Sequence, residues 1–225
     1  MQIAQLGWCH TFSIVARDPI TGALGIAVQS KAFAVGSLVP WVRGGVGAIA
    51  TQAYTETRYG LEGLALLARR IDPAEALREL LSRDAERDKR QVAMMNADGR
   101  IAVHTGTACP EHASDLIGEG YACQGNLLVS RTVVEVMGAA FEAARGPLAR
   151  RLLDALWAGQ RAGGDRRGQQ SAALLVCRSS VDSYARRDRI DLRVDDHPEP
   201  IAELERLLYL SSLSEKDDVL GSGGT

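Results

Sequence analysis

The chain's first clear pattern has a period of two. In Thr11–Arg17 (TFSIVAR), Phe12, Ile14 and Ala16 alternate with Thr11, Ser13 and Val15, as in a strand with two different faces. Asp18-Pro19-Ile20-Thr21-Gly22 follows as a turn, because Pro presets φ and Gly accepts positive φ. Residues 23–30 (ALGIAVQS) read as a second strand, so 11–30 is a predicted β-hairpin. Counted back from the turn, Thr11 faces Gln29 or Ser30, with Lys31 within a residue or two. Two hydroxyls, an amide and an ammonium are thus expected at the open end of the hairpin.

Further along, the period alternates between two and 3.6. Residues 45–52 (GVGAIATQ) form a small-residue strand buried on both faces, and 58–70 carry Leu61, Leu64, Ala65 and Ala68 at helical spacing. Asp72-Pro73-Ala74-Glu75 opens the next helix, with Asp as N-cap and Pro at the first position. Residues 83–90 are a mixed charge run, read as a solvated helix end. Residues 91–96 and 100–105 predict a hairpin around Ala97-Asp98-Gly99. Residues 106–120 read as an irregular loop and 121–124 as a short strand. Helices follow over 131–144 and 148–160, then strands over 170–177 and 191–194 and a helix over 198–208. Because strands and helices come in blocks, an α+β fold is favoured over a doubly wound parallel sheet. One domain spanning 11–210 is expected, with 1–10 a tail or removable leader and 211–225 a disordered tail.

Composition narrows the function classes. The 225 residues are 46% hydrophobic and 24% charged, ordinary for a globular chain, and the net charge of −2 offers no field for a nucleic-acid backbone. No apolar run reaches the roughly 18 residues of a membrane span, so neither nucleic acid nor membrane is an expected partner. Cys9, Cys109, Cys123 and Cys177 form no CxxC pair, and His10, His104, His112 and His197 form no HxxxH or HExxH pair. No metal or cofactor is expected, and the unpaired thiols suit a reducing cytoplasm. Residues 1–10 lack the basic start and continuous apolar stretch of a secretion signal.

Two short motifs can carry chemistry. Gly163-Gly164-Asp165-Arg166-Arg167-Gly168 has the glycine spacing of a phosphate loop, but Gln169-Gln170 replace the Lys and Ser/Thr that such a loop needs. It reads as a tight turn, or as a carrier of Asp165 and Arg167 that orients a substrate or binds an anion. Gln124-Gly125-Asn126 is either an ordinary turn or a presenter of N–H groups to a developing oxyanion.

Taken together, HTFSIVARDPITGALGIAVQSK, GGVGAIATQAY, YACQGN, AGGDRRGQQSAALLV and RVDDHPEPIAELERL resemble the family called domain of unknown function 1028, grouped with the N-terminal-nucleophile (Ntn) hydrolases. The resemblance runs from Thr11 to about Leu208. It implies a four-layer αββα sandwich of two mainly antiparallel sheets. It also implies an amidohydrolase whose nucleophile, Thr11, is exposed by removal of the residues before it, its own α-amine serving as base. On the same footing, Lys31 would keep that amine neutral and Asn126, with N–H groups near Gly125, would form the oxyanion hole. Asp165 and Arg167 would orient the substrate, beside Gln29, Ser30 and Gln124. The implied substrate is a small or peptide-like amide, and the implied assembly a homodimer. The alternative is a non-catalytic binding or oligomeric scaffold that keeps the fold.

Overall fold

The hairpin forms as its pattern predicts. In the computed structural model, which describes residues 7–178 and 189–221 and the side chains of the last helix as far as Ser212, β2 (Thr11–Arg17) pairs antiparallel with β3 (Leu24–Ser30). Asp18 locks the turn: its Oδ1 accepts from the backbone N–H groups of Ile20 and Thr21, and Gly22 takes φ 71°. That closure sets Thr11 opposite Ser30. Residues 1–6 of the expected leader and 222–225 of the expected tail lie outside the described residues.

Two antiparallel sheets result. The first contains β1 (Trp8–Cys9), β4 (Pro40–Arg43), β5 (Gly47–Tyr54), β6 (Arg90–Asn96) and β7 (Ile101–Thr105), with β5, β6 and β7 adjacent in that order. Along its free side β5 takes β4 against Gly47–Ala50 and β1 against Ala53–Tyr54. The second sheet has six strands, in the order β11 (Arg189–Val194), β10 (Ser171–Cys177), β3, β2, β9 (Tyr121–Gly125) and β8 (Ser114–Gly118).

Helices cover both outer faces. α1 (Arg58–Ala68) and α2 (Pro73–Ser82) pack on the first sheet through Tyr59, Leu66, Leu77 and Leu80 against Ile49, Val92 and Met94. As expected, Asp72 caps α2, its carboxylate accepting from Ala74 N–H at 2.9 Å. α3 (Thr132–Ala143), α4 (Leu148–Arg161) and α5 (Pro200–Gly221) pack on the second sheet. Leu152, Leu153 and Leu156 of α4 are fully buried there, each contributing about 1.5–3 kcal/mol of apolar transfer. The two sheets close on each other through Val15, Ile26 and Val28 against Ala48, Ala50, Ala93 and Met95. The fold is a four-layer α+β sandwich of two antiparallel sheets.

Four local readings change. β1 and β4 are short and lack a periodic signal, and neither was expected. The segment expected to be an irregular loop over 106–120 contains β8, an edge strand that is half-exposed and therefore weakly patterned. The charge run at 83–90 is not uniformly solvated: Asp84 and Arg90 are buried as an ion pair at 2.7 Å, and Tyr59 donates its hydroxyl to Asp84. The last helix, expected over 198–208, spans Pro200–Gly221 and so enters the segment read as a tail.

Candidate active site

At one end of the layer between the sheets the apolar contacts give way to buried polar side chains. Thr11, Ser13, Ser30, Gln52, Gln91, Gln124 and Asn126 are all fully buried. Their hydrogen bonds fix every amide's orientation. Gln91 Nε2 donates to the carbonyls of Gly125 (2.9 Å) and Ser114 (3.2 Å), which can only accept, so its Oε1 must face the other way. That oxygen receives Gln52 Nε2 at 2.9 Å and Asn126 Nδ2 at 3.0 Å. Gln52 Oε1 accepts the Ser13 hydroxyl at 2.7 Å, and Gln124 Nε2 reaches Ala50 O and Ser13. Asn126 is therefore left with its carbonyl oxygen free, and His10 Nδ1 donates to it at 3.1 Å.

His10 is where the chain steps from one sheet to the other, since β1 belongs to the first sheet and β2 to the second. Its backbone carbonyl, part of the His10–Thr11 peptide bond, accepts two side-chain donors. Ser30 Oγ lies at 2.5 Å and Arg167 Nη2 at 3.1 Å. Arg167 is held by Asp165, which is buried and bonds its Nε, Nη2 and backbone N–H, and also accepts from Lys31 N–H. The loop that carries this pair turns on three left-handed glycines, Gly163 (φ 105°), Gly164 (φ 53°) and Gly168 (φ 103°), a conformation that costs other residues a Cβ clash. Thr11 Oγ1 donates to Cys9 O at 2.8 Å and touches Cys9 Sγ at 3.3 Å, at the nitrogen end of the same peptide bond.

Of the residues picked out in the sequence, the structure collects Thr11, Ser30, Asn126, Asp165 and Arg167 around this peptide bond. Gln124 and Gly125 lie one step away: Gln124 faces Ser13 across the pairing, and the Gly125 carbonyl holds Gln91. Two residues sit elsewhere. The Lys31 ammonium is exposed and donates to Gln169 O, with only its backbone N–H turned to Asp165. Gln29 pairs opposite Phe12 and Ala172, both in the helix-facing core, so strand alternation turns its side chain away from the layer between the sheets. Its amide is fully buried and has no hydrogen-bond partner among the described residues. Asn126 meets the His10 side chain, and the donors at the His10 carbonyl are Ser30 and Arg167.

Cys9, His10, Ser13, Gln52 and Gln91 complete the site. Burial raises the Cys9 thiol, outweighing its bonds to Thr11 and Ser30. Burial lowers the His10 imidazole below its usual value, against the pull of Asn126, so its neutral form is favoured. Gln52 and Gln91 left a usable signal, a polar amide at the inward end of an otherwise apolar strand. Among the described residues, no group of three His, Cys, Asp or Glu is placed to hold a metal ion, and no helix is long and apolar enough to cross a membrane.

Comparison with known proteins extends the picture. The family described as "Family of unknown function (DUF1028)" matches residues 11–204. The crystal structure of a Silicibacter pomeroyi protein assigned to the same family is similar over 90% of this chain and 89% of that one, at 34% identity and a TM-score of 0.81. Anbu (ancestral beta-subunit) from Yersinia bercovieri aligns over 92% of this chain and 97% of its own, at 13% identity and a TM-score of 0.41. No curated protein matches. Since the family match takes in every layer of the sandwich and starts on the threonine at the centre of the polar cluster, the chain belongs to the family of unknown function DUF1028.

Proposed function

We propose that this protein is an Ntn-type amidohydrolase whose nucleophile is Thr11, made available by cleavage of the His10–Thr11 bond. The observation that carries the reading is the pair of donors on the His10 carbonyl, the Ser30 hydroxyl and the Arg167 guanidinium, with a threonine hydroxyl on the adjoining residue. Donors already aimed at that oxygen stabilise the charge that develops on it during attack.

In the cleavage step the Thr11 hydroxyl oxygen attacks the His10 carbonyl carbon. The C–N bond to Thr11 breaks, and the departing nitrogen takes the hydroxyl proton, leaving an ester between His10 and Thr11. Water then hydrolyses the ester, releasing a carboxylate on His10 and restoring the hydroxyl beside a free α-amine. An unperturbed α-amine has a pKa of about 7.7–8.0, so near neutrality it serves as base for its own side chain. An external amide follows the same course: acyl transfer to Thr11 Oγ1, protonation of the leaving amine, then hydrolysis.

A second reading, in which the chain is a non-catalytic scaffold, draws on Cys9. Its side chain is buried in the core between the sheets, as befits a permanent strand. Intact mass separates the two. The hydrolase loses residues 1–10 and the Thr11→Ala chain keeps them, whereas a scaffold keeps them in both.

A further inference from the structure

The residues before Thr11 do more than cover it. β5 is paired with β6 along one side, and its other side is filled by β4 only as far as Gly47–Ala50. The remaining stretch, Ala53–Tyr54, is occupied by Trp8–Cys9 in antiparallel register, Trp8 opposite Tyr54 and Cys9 opposite Ala53. If Thr11 is the nucleophile, these residues sit where the acyl side of a substrate must lie, with His10 next to the bond that breaks.

Each side chain of this segment meets a distinct surface. Strand alternation turns Trp8 and His10 one way and Cys9 the other. The His10 ring donates to Asn126 Oδ1, and that oxygen can only accept, because Gln91 holds the other half of the amide. Trp8 stacks on His10 with centroids 5.6 Å apart and leans on Tyr54 at 5.3 Å. Tyr54 is backed in turn by Lys89 and Arg90 over its ring. Cys9 lies buried against the hydroxyls of Thr11 and Ser30, a place for a small side chain.

We infer that the substrate is an extended peptide that adds as a strand to the Ala53–Tyr54 edge of β5, with an N–H-bearing side chain directed at Asn126 Oδ1 immediately before the cleaved amide and an aromatic side chain against Tyr54 two residues earlier. The inference rests on the Thr11 hydrolase reading and deepens it. Main-chain pairing to a sheet edge supplies affinity, and the alternating side-chain sites supply selectivity.

The test uses the full chain after mass spectrometry has established its N-terminus, with coumarin amides of acetyl-Trp-Ala-His and its variants as probes. Replacing His by Leu is expected to lower kcat/KM at least tenfold, and replacing Trp by Ala about fivefold. Backbone N-methylation at the Trp and Ala positions together is expected to lower it at least tenfold, because one of the two N–H groups faces β5. Hydrolysis of simple acyl amides with no preference across this series overturns the peptide assignment and leaves the hydrolase standing. Absence of amide hydrolysis from a chain that retains residues 1–10 overturns both.

Discussion

The layer between the two sheets has two ends built on opposite principles. At one, Val15, Ile26, Val28, Ala48, Ala50, Ala93 and Met95 interdigitate, and stability scales with the area removed from water. At the other, Ser13, Gln52, Gln91 and Asn126 are just as buried, and stability depends on whether each donor meets an acceptor. The apolar end needs only suitable volume. The polar end fixes orientation: the direction of one amide, Gln91, determines that Asn126 presents an oxygen to His10. A site that must read hydrogen-bonding direction therefore sits where the apolar filling stops.

The largest departure between the two ends is expected from Thr11→Ala. We expect processing and amide hydrolysis to fall by about 10³-fold or more while the chain, still carrying residues 1–10, unfolds cooperatively on heating, because one hydroxyl contributes only about 1 kcal/mol net to stability. Intact mass, hydrolysis rates and thermal unfolding together check this. At the apolar end, Ile26→Ala is expected to cost about 2–5 kcal/mol in urea unfolding with an unchanged m-value, the penalty of a cavity.

Gln91→Leu should cost about 2 kcal/mol by stranding the amide groups of Gln52 and Asn126. Combining it with Gln52→Leu should cost less than the sum of the two, since both belong to one network, and a double-mutant cycle reads the coupling. Simple additivity would mean that the polar end behaves like the apolar one.

The smallest effect concerns a third buried polar group, packed between the first sheet and its helices. Burial alone would raise the Asp84 carboxyl, but its bonds to Arg90, to Glu86 N–H and to Tyr59 hold it down to about 2. A carboxyl lowered in the folded state stabilises above its unfolded value of about 3.9, and that contribution is lost as pH falls toward 2. Urea midpoints measured from pH 5 down to pH 2 should therefore decline more steeply for the parent chain than for Asp84→Asn. Arg90 also donates to Tyr54 O, so the same pair steadies the edge of β5 occupied by Trp8–Cys9.

Much of this architecture was legible in local patterns. The hairpin followed from alternation and from the Asp18–Gly22 turn, which brought Thr11 opposite Gln29 or Ser30, and the folded pairing takes Ser30. Helix positions followed from period 3.6 and the start of α2 from its Asp72 cap, while the last helix runs to Gly221, well past its expected end at 208. β1, β4 and β8 escaped notice because strands that are very short or half-exposed carry too few alternations to stand out. Asp84 and Arg90 were hidden in a charge run, since one-dimensional charge density does not reveal which two charges face inward as a pair.

By itself the sequence determined the succession of the longer elements, the turn that closes the first hairpin, the position of Thr11 opposite either Gln29 or Ser30, and the glycine turn that carries Asp165 and Arg167. Tertiary structure alone decided that Gln52, Gln91 and Asn126 meet, that Lys31 turns to Gln169 and Gln29 toward the helices, and that residues 8–10 cross between the sheets beside Thr11. Periodicity states which side of a strand a residue occupies. It carries no information about which distant strand is stacked against that side, and the site is made where the two sheets face each other.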